Sequence, residues 1–269
     1  MRNTVKTATI ALTAGALALG LTACGGDDSD AFTVAATPVP HAEILNYVKD
    51  NLAKDAGLNL EVKEFTDYVT PNTATEDGSV DANFFQTQPY LDDFNKKKNT
   101  DIVSVVNVHL EPLGLYSHEV KSADDLEKGA TVAVPNDAAN GARALRLLDA
   151  NGIITLKEGI DGEATVADIA ENPKDLEFKE LEAAQLPRSL DDVDAAVING
   201  NYAIEADLKP AKEALVLESP KDNPNSNLLA VKKGHENDED VKKLVKLLTS
   251  PEVKKFIADK YDGAVIASF

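Results

Sequence analysis

The sequence predicts an α/β protein of two lobes with a cleft between them, and three observations carry that expectation. Apolar strand-like runs alternate with helix-period stripes from residue 32 onward, the pattern of an α/β fold with largely parallel sheets. About 240 residues follow the N-terminal apolar segment, enough for two cores. Two segments, 111–117 and 223–227, interrupt the alternation as a chain does when it leaves one lobe and later returns.

Taken in order, Phe32-Thr33-Val34-Ala35-Ala36 is a compact apolar strand that stops at the breakers Pro38 and Pro40. A helix follows, with Ile44, Leu45, Val48 and Leu52 on one stripe and Gly57 as its stop. Leu58 to Val62 alternates as a half-buried strand. Further strands are expected at Ile102 to Val108, Thr131 to Val134, Leu176 to Leu181, Ala195 to Ile198, Leu215 to Leu217 and Leu228 to Val231. Asp137 to Ala150 carries Ala144, Leu145, Leu147 and Leu148 at helical spacing, and helices near Val241 to Leu248 and Glu252 to Tyr261 close the chain. The division that results is 1–23 as a signal segment, 24–31 as a tether, 32–114 plus 231–269 as lobe 1, and 115–230 as lobe 2. A cleft between such lobes is where α/β proteins place ligands, and hinge closure is open to it.

The single cysteine, Cys24, fixes the compartment. Arg2 and Lys6 make a positive start, Ile10 to Leu21 is apolar, and Thr22-Ala23 supplies the small residues before Cys24, which a polar Gly-Gly-Asp-Asp-Ser-Asp stretch follows. That is the pattern of a cut and lipidated N-terminus, while the apolar stretch falls short of the roughly 20 residues of a membrane span. A two-chain thioether lipid on Cys24 would hold the domain stably at the cell membrane, on its extracytoplasmic face. The remainder then has no thiol, hence neither a disulfide nor a thiolate nucleophile.

Composition excludes several classes. The net charge of −19 rises in magnitude to about −21 once Arg2 and Lys6 leave with the signal, so nucleic acid is not an expected partner. His41, His109, His118 and His235 show no metal-ligand spacing, and there is no nucleophile elbow and no phosphate loop. Neither a metal, a cofactor nor a catalytic residue is expected, and the chain reads as a monomer.

Candidate binding residues collect in four places. Residues 67–90 hold four of the fourteen Phe and Tyr residues. Tyr68, Phe85 and Tyr90 suit either a pocket wall or ordinary packing, and Phe84, on the opposite strand face, suits the core. At Pro135 to Arg143 a strand yields to a helix capped by Asn or Asp, whose N-terminus attracts anions. Arg143 could clamp a carboxylate with two parallel hydrogen bonds, or face solvent with a surface partner. Asn199 and Asn227 stand at strand ends, fit for a zwitterion or for a turn. Glu111, at the first crossing, could receive an ammonium group or make a hinge salt bridge.

The stretches Ala36 to Leu45, Asp81 to Tyr90, Pro135 to Arg143, Leu181 to Asp192 and Ala196-Val197-Ile198-Asn199 together resemble the methionine-binding lipoproteins of ABC importers, a likeness running from about Phe32 to the C-terminus. The resemblance implies a type II periplasmic-binding-protein fold that closes on an amino acid, and an ABC transporter permease as partner. It also implies that Tyr68, Phe85 and Tyr90 line the slot for a thioether side chain, that Arg143 holds the α-carboxylate, and that Asn199 and Asn227 bind the amino-acid backbone groups. One departure stands out: Thr87 occupies the place of a His common in such sequences. It leaves L-methionine, D-methionine, a methionine-containing dipeptide and another apolar amino acid open as ligands. An exported enzyme on the same scaffold is the reading from another class.

Overall fold

A computed structural model describes residues 31–269; Cys24 and the tether expected at 24–31 lie outside the described residues except for Ala31. The first strand, β1 (Phe32–Ala36), leads into a helical segment, Pro38 to Ala53, centred on α1 (Glu43–Val48). Ile44, Leu45 and Val48 are fully buried there, as the helical stripe requires. The next strand, β2, spans Leu60–Glu64 instead of starting at Leu58, because the Leu58 N–H is spent on the Ala53 carbonyl at the helix end. Then come α2 (Thr70–Asp77), β3 (Ala82–Thr87), α3 (Gln88–Lys98) and β4 (Ile102–Leu110).

The chain crosses at Glu111 to Leu113 and builds a second lobe from β5 (Gly114–Tyr116), β6 (Thr131–Pro135), α4 (Ala138–Ala150), a small pair β7 (Thr155–Leu156) and β8 (Ile169–Glu171), and β9 (Glu177–Leu181). It continues through α5 (Leu186–Ser189), β10 (Ala195–Ile198), α6 (Gly200–Glu205), α7 (Pro210–Glu213) and β11 (Val216–Leu217). The return runs through β12 (Ser226–Lys232), α8 (Glu239–Leu248), α9 (Pro251–Tyr261) and β13 (Ile266–Ala267).

Lobe 1 holds a six-stranded sheet in the order β13-β4-β12-β3-β1-β2, and lobe 2 a five-stranded sheet in the order β11-β5-β10-β6-β9. Both sheets are mixed, which corrects the expectation of largely parallel ones. The strands β1, β2 and β3 pair in parallel, but β12 inserts antiparallel between β3 and β4. The reason is directional: β1, β3 and β4 run toward the cleft, whereas β12 enters from the cleft with Asn227 opposite Thr87. The expected boundary at 230/231 falls inside β12, which belongs whole to the sheet of lobe 1, so the return crossing lies before Ser226.

Each lobe has its own core. Val34, Ile44, Leu45, Phe84, Leu229, Leu244 and Ile257 pack together in lobe 1, and Leu115, Val132, Leu145, Leu148 and Val197 in lobe 2. A separate aromatic cluster, Phe85, Tyr90 and Phe94 with Leu228, takes in Ala139 from α4 of the other lobe. Adjacent residues on β3 therefore serve different ends: Phe84 points into the lobe core, as expected, and Phe85 toward the cleft.

Candidate ligand cleft

The eight candidate residues spread from position 68 to 227 meet on the wall of one cavity. Tyr68, Phe85, Thr87, Tyr90 and Asn227 come from lobe 1, Arg143 and Asn199 from lobe 2, and Glu111 from the crossing. Gln86, Asn140, Gly200 and Asn201 complete the wall.

One side is aromatic. The Tyr68 ring lies 5.8 Å from Phe85, 5.7 Å from Tyr90 and 5.1 Å from Tyr202, and the Tyr90 hydroxyl donates to the Tyr68 carbonyl at 2.9 Å. Behind it, Gln86 is held by reciprocal amide bonds with Asn72 and by donation to Asn83 Oδ1 at 2.7 Å. These buried side chains satisfy one another and stiffen the strand end.

The other side is polar, and its amide orientations follow from a relay. Asp137 caps α4 by accepting from the Asn140 N–H at 2.9 Å, and its carboxylate also takes both bonds from Asn140 Nδ2. With its donors turned to Asp137, Asn140 presents Oδ1, which accepts from Asn199 Nδ2 at 2.9 Å. Asn199 is left with a buried Oδ1 that has no partner among the described residues. Two residues on, Tyr68 donates across the cleft to Asn201 Oδ1 at 2.6 Å, and Asn201 Nδ2 is left buried and without a partner among the described residues. An orphaned acceptor and an orphaned donor thus stand two residues apart. Buried polar atoms are ordinarily paired, so both point to a ligand. Because Asp137 itself covers the start of α4, the anion expected at that helix N-terminus is met by the protein's own carboxylate.

Arg143 differs from both sequence expectations. It does not face solvent: its side chain is 10 % exposed. Nor is its fork open to a ligand, since Nε donates to Glu218 Oε1 at 2.9 Å, and Nη2 donates both to Glu218 Oε2 and to the Glu111 carbonyl at 2.9 Å. Among the described residues two of its three nitrogens are engaged, so Nη1 is the donor left over there. Burial pushes Glu218 upward, but the Arg143 hydrogen bonds and charge, with the Leu113 N–H, outweigh it and hold the carboxyl below its ordinary range.

Glu111 joins two histidines that sequence spacing had kept apart. Its Oε1 lies 2.6 Å from His109 Nε2 and 3.2 Å from His41 Nε2. His41 Nε2 also faces Asn227 Oδ1 at 3.0 Å, so that nitrogen carries the proton and Nδ1 accepts from the Thr37 hydroxyl at 2.7 Å. Burial lowers His41 to about 4 and His109 to about 3, and both rings are neutral at neutral pH. Burial likewise pushes Glu111 up, against the pull of His41 and Arg143. The three ligand atoms lie within 4.8 Å, the one such group among the described residues. Its members are already bonded to one another, and His109 Nδ1 lacks the outer partner that a metal-bound imidazole keeps, so the group reads as support for Glu111.

Asn201 and Asn140 were missed although their segments were in view. The signal was the Asn-Gly-Asn run at 199–201, where Gly200 is required by close approach: a Cβ there would stand 2.7 Å from Glu111 Cβ.

Comparison with known proteins adds the following. The profile of the NlpA lipoprotein family matches residues 32–269. The Methionine-binding lipoprotein MetQ of Bacillus subtilis is 43% identical over 256 residues, covering 91% of this chain and 93% of that protein. The Membrane lipoprotein TpN32 of Treponema pallidum is 40% identical over 252 residues, 94% and 93%. Among solved structures, a nutrient binding protein from Burkholderia cenocepacia bound to methionine has 49% identity and a TM-score of 0.86, covering 88% of this chain and 100% of that one.

Proposed function

The chain belongs to the NlpA lipoprotein family, and from that premise we propose that it is the solute receptor of an ABC importer, binding methionine between its lobes without turnover. The observation that carries this reading is the pair of orphaned amide atoms, Asn199 Oδ1 and Asn201 Nδ2, in a cavity whose wall also holds Glu111 and Arg143. An ammonium group needs acceptors and a carboxylate needs donors, and the wall offers both within one cavity. The aromatic side, Tyr68, Phe85 and Tyr90, suits a thioether, which gains from ring edges and faces.

Hydrogen bonds across the cleft, from Tyr68 to Asn201 and from the Tyr202 hydroxyl to the Thr66 carbonyl, support a lobe closure that presents a docking surface to the permease. A lipid on Cys24 would keep the monomeric receptor on the extracytoplasmic face, at high effective concentration near its transporter. Thr87, in the wall beside Gln86, is the residue through which a different ligand, D-methionine, a methionine-containing dipeptide or another apolar amino acid, would be admitted. Native mass spectrometry of the protein freed from lipid tests the reading: retained methionine is expected, and a retained ligand without an amino-acid zwitterion would refute it.

A further inference from the structure

Glu218 does not line the cavity, yet it is bonded to Arg143, which does. Its Oε1 accepts from Arg143 Nε at 2.9 Å and from Asn225 Nδ2 at 3.3 Å. Its Oε2 accepts from Arg143 Nη2 and from the Leu113 N–H at 3.1 Å. The Glu218 N–H in turn donates to the Leu113 carbonyl at 2.8 Å. One residue of the returning crossing therefore pairs both backbone groups of Leu113 in the outgoing crossing, and it grips the arginine through the edge that would otherwise fork a carboxylate. The pair is shielded, at 10 % and 15 % side-chain exposure, so it is not an incidental surface contact.

We propose that Glu218 is a positioning residue for ligand recognition: it clamps the Nε–Nη2 edge of Arg143, turns Nη1 to the cleft as the carboxylate donor, and ties that donor to both interlobe crossings. The inference rests on the methionine reading above. A guanidinium held by a bidentate carboxylate has its plane fixed, so less side-chain freedom is lost when a ligand takes the remaining nitrogen. The Nη2 bond to the Glu111 carbonyl adds a third point, and any rotation that opened the fork to the ligand would break all three bonds.

The test separates positioning from general support by using two ligands, L-methionine and methioninol, which keeps the ammonium and thioether and lacks the carboxylate. In Glu218→Gln one end of the side chain becomes a donor, which confronts either Arg143 Nε and Asn225 Nδ2 or Arg143 Nη2 and the Leu113 N–H. Calorimetry on the full chain should then show methionine weakened by about tenfold or more, the scale of one hydrogen bond to a charged group, and methioninol changed by less than about threefold. In an Arg143→Ala background the same substitution should leave the methionine-to-methioninol ratio unmoved. Glu218→Asp, which keeps the charge but cannot reach both nitrogens, should contract the ratio as well, and it serves if Glu218→Gln does not fold. An equal loss for both ligands, or methionine bound as tightly as before or more tightly, overturns the inference while leaving the methionine reading intact. Failure of the unsubstituted chain to bind methionine overturns both.

Discussion

Tyr68→Phe removes one oxygen atom and tests how the cleft sets its polar groups. The lost hydroxyl donates to Asn201 Oδ1 at 2.6 Å, a bond that joins lobe 1 to lobe 2. Asn201 Nδ2 already lacks a protein partner, so without Tyr68 the buried side-chain amide has none at either end. Leaving such a carbonyl unsatisfied costs about 1–3 kcal/mol, which is roughly 5- to 160-fold in Kd if the closed, ligand-bound form bears it. The apolar wall should survive, because Tyr90 bonds to the main-chain carbonyl of Tyr68 and the ring stays. Calorimetric titration with L-methionine, beside thermal unfolding of the ligand-free protein, should show weaker binding with little loss of stability. A Kd within twofold of the unsubstituted protein would refute the claim that Tyr68 orients Asn201.

Other substitutions probe the remaining supports. Arg143→Ala should weaken methionine binding by a few kcal/mol and also lower the unfolding midpoint, because Glu218 is left shielded and unpaired; unchanged affinity in calorimetry would remove Arg143 from the site. Gly200→Ala places a Cβ 2.7 Å from Glu111 Cβ and 3.3 Å from the Pro112 carbonyl oxygen, so it should cost about 1–3 kcal/mol in urea unfolding and displace Glu111 from the wall. His109 is depressed from 6.5 to about 3 by burial, so the unfolded chain binds a proton that the folded one refuses as pH falls through that window, and stability is lost on acidification. Glu111, raised by burial, acts in the opposite sense, and His109→Gln isolates the imidazole: the unsubstituted protein should lose more stability than the variant between about pH 7 and pH 5, and parallel losses would contradict the assignment.

What could be read from the chain follows from how far each signal reaches. The strand β1, the stripe Ile44, Leu45 and Val48, and the helix capped by Asp137 are local patterns, and they stand where periodicity and capping place them. Strand direction is not local: β12 looks like any apolar run, and only its arrival from the second lobe makes it antiparallel to β3 and β4. The short β5 and β13 gain their identity from the strands beside them, β10 and β11 for the one and β4 for the other. At the cleft, residue types pointed to the right places, but partners did not follow from them. Arg143 finds Glu218 seventy-five positions away, and His41 finds Asn227 at a separation of 186. The orientation of Asn199 depends on Asn140 and, through it, on Asp137, a relay that exists only once α4 and β10 are side by side.

The most direct measurement is a calorimetric titration of ligand-depleted protein, residues 25–269, with L-methionine. The account predicts saturable binding at one site per chain, with the methionine recovered unmodified. Absence of saturable binding by a folded protein, or release of a chemically altered product, would contradict it.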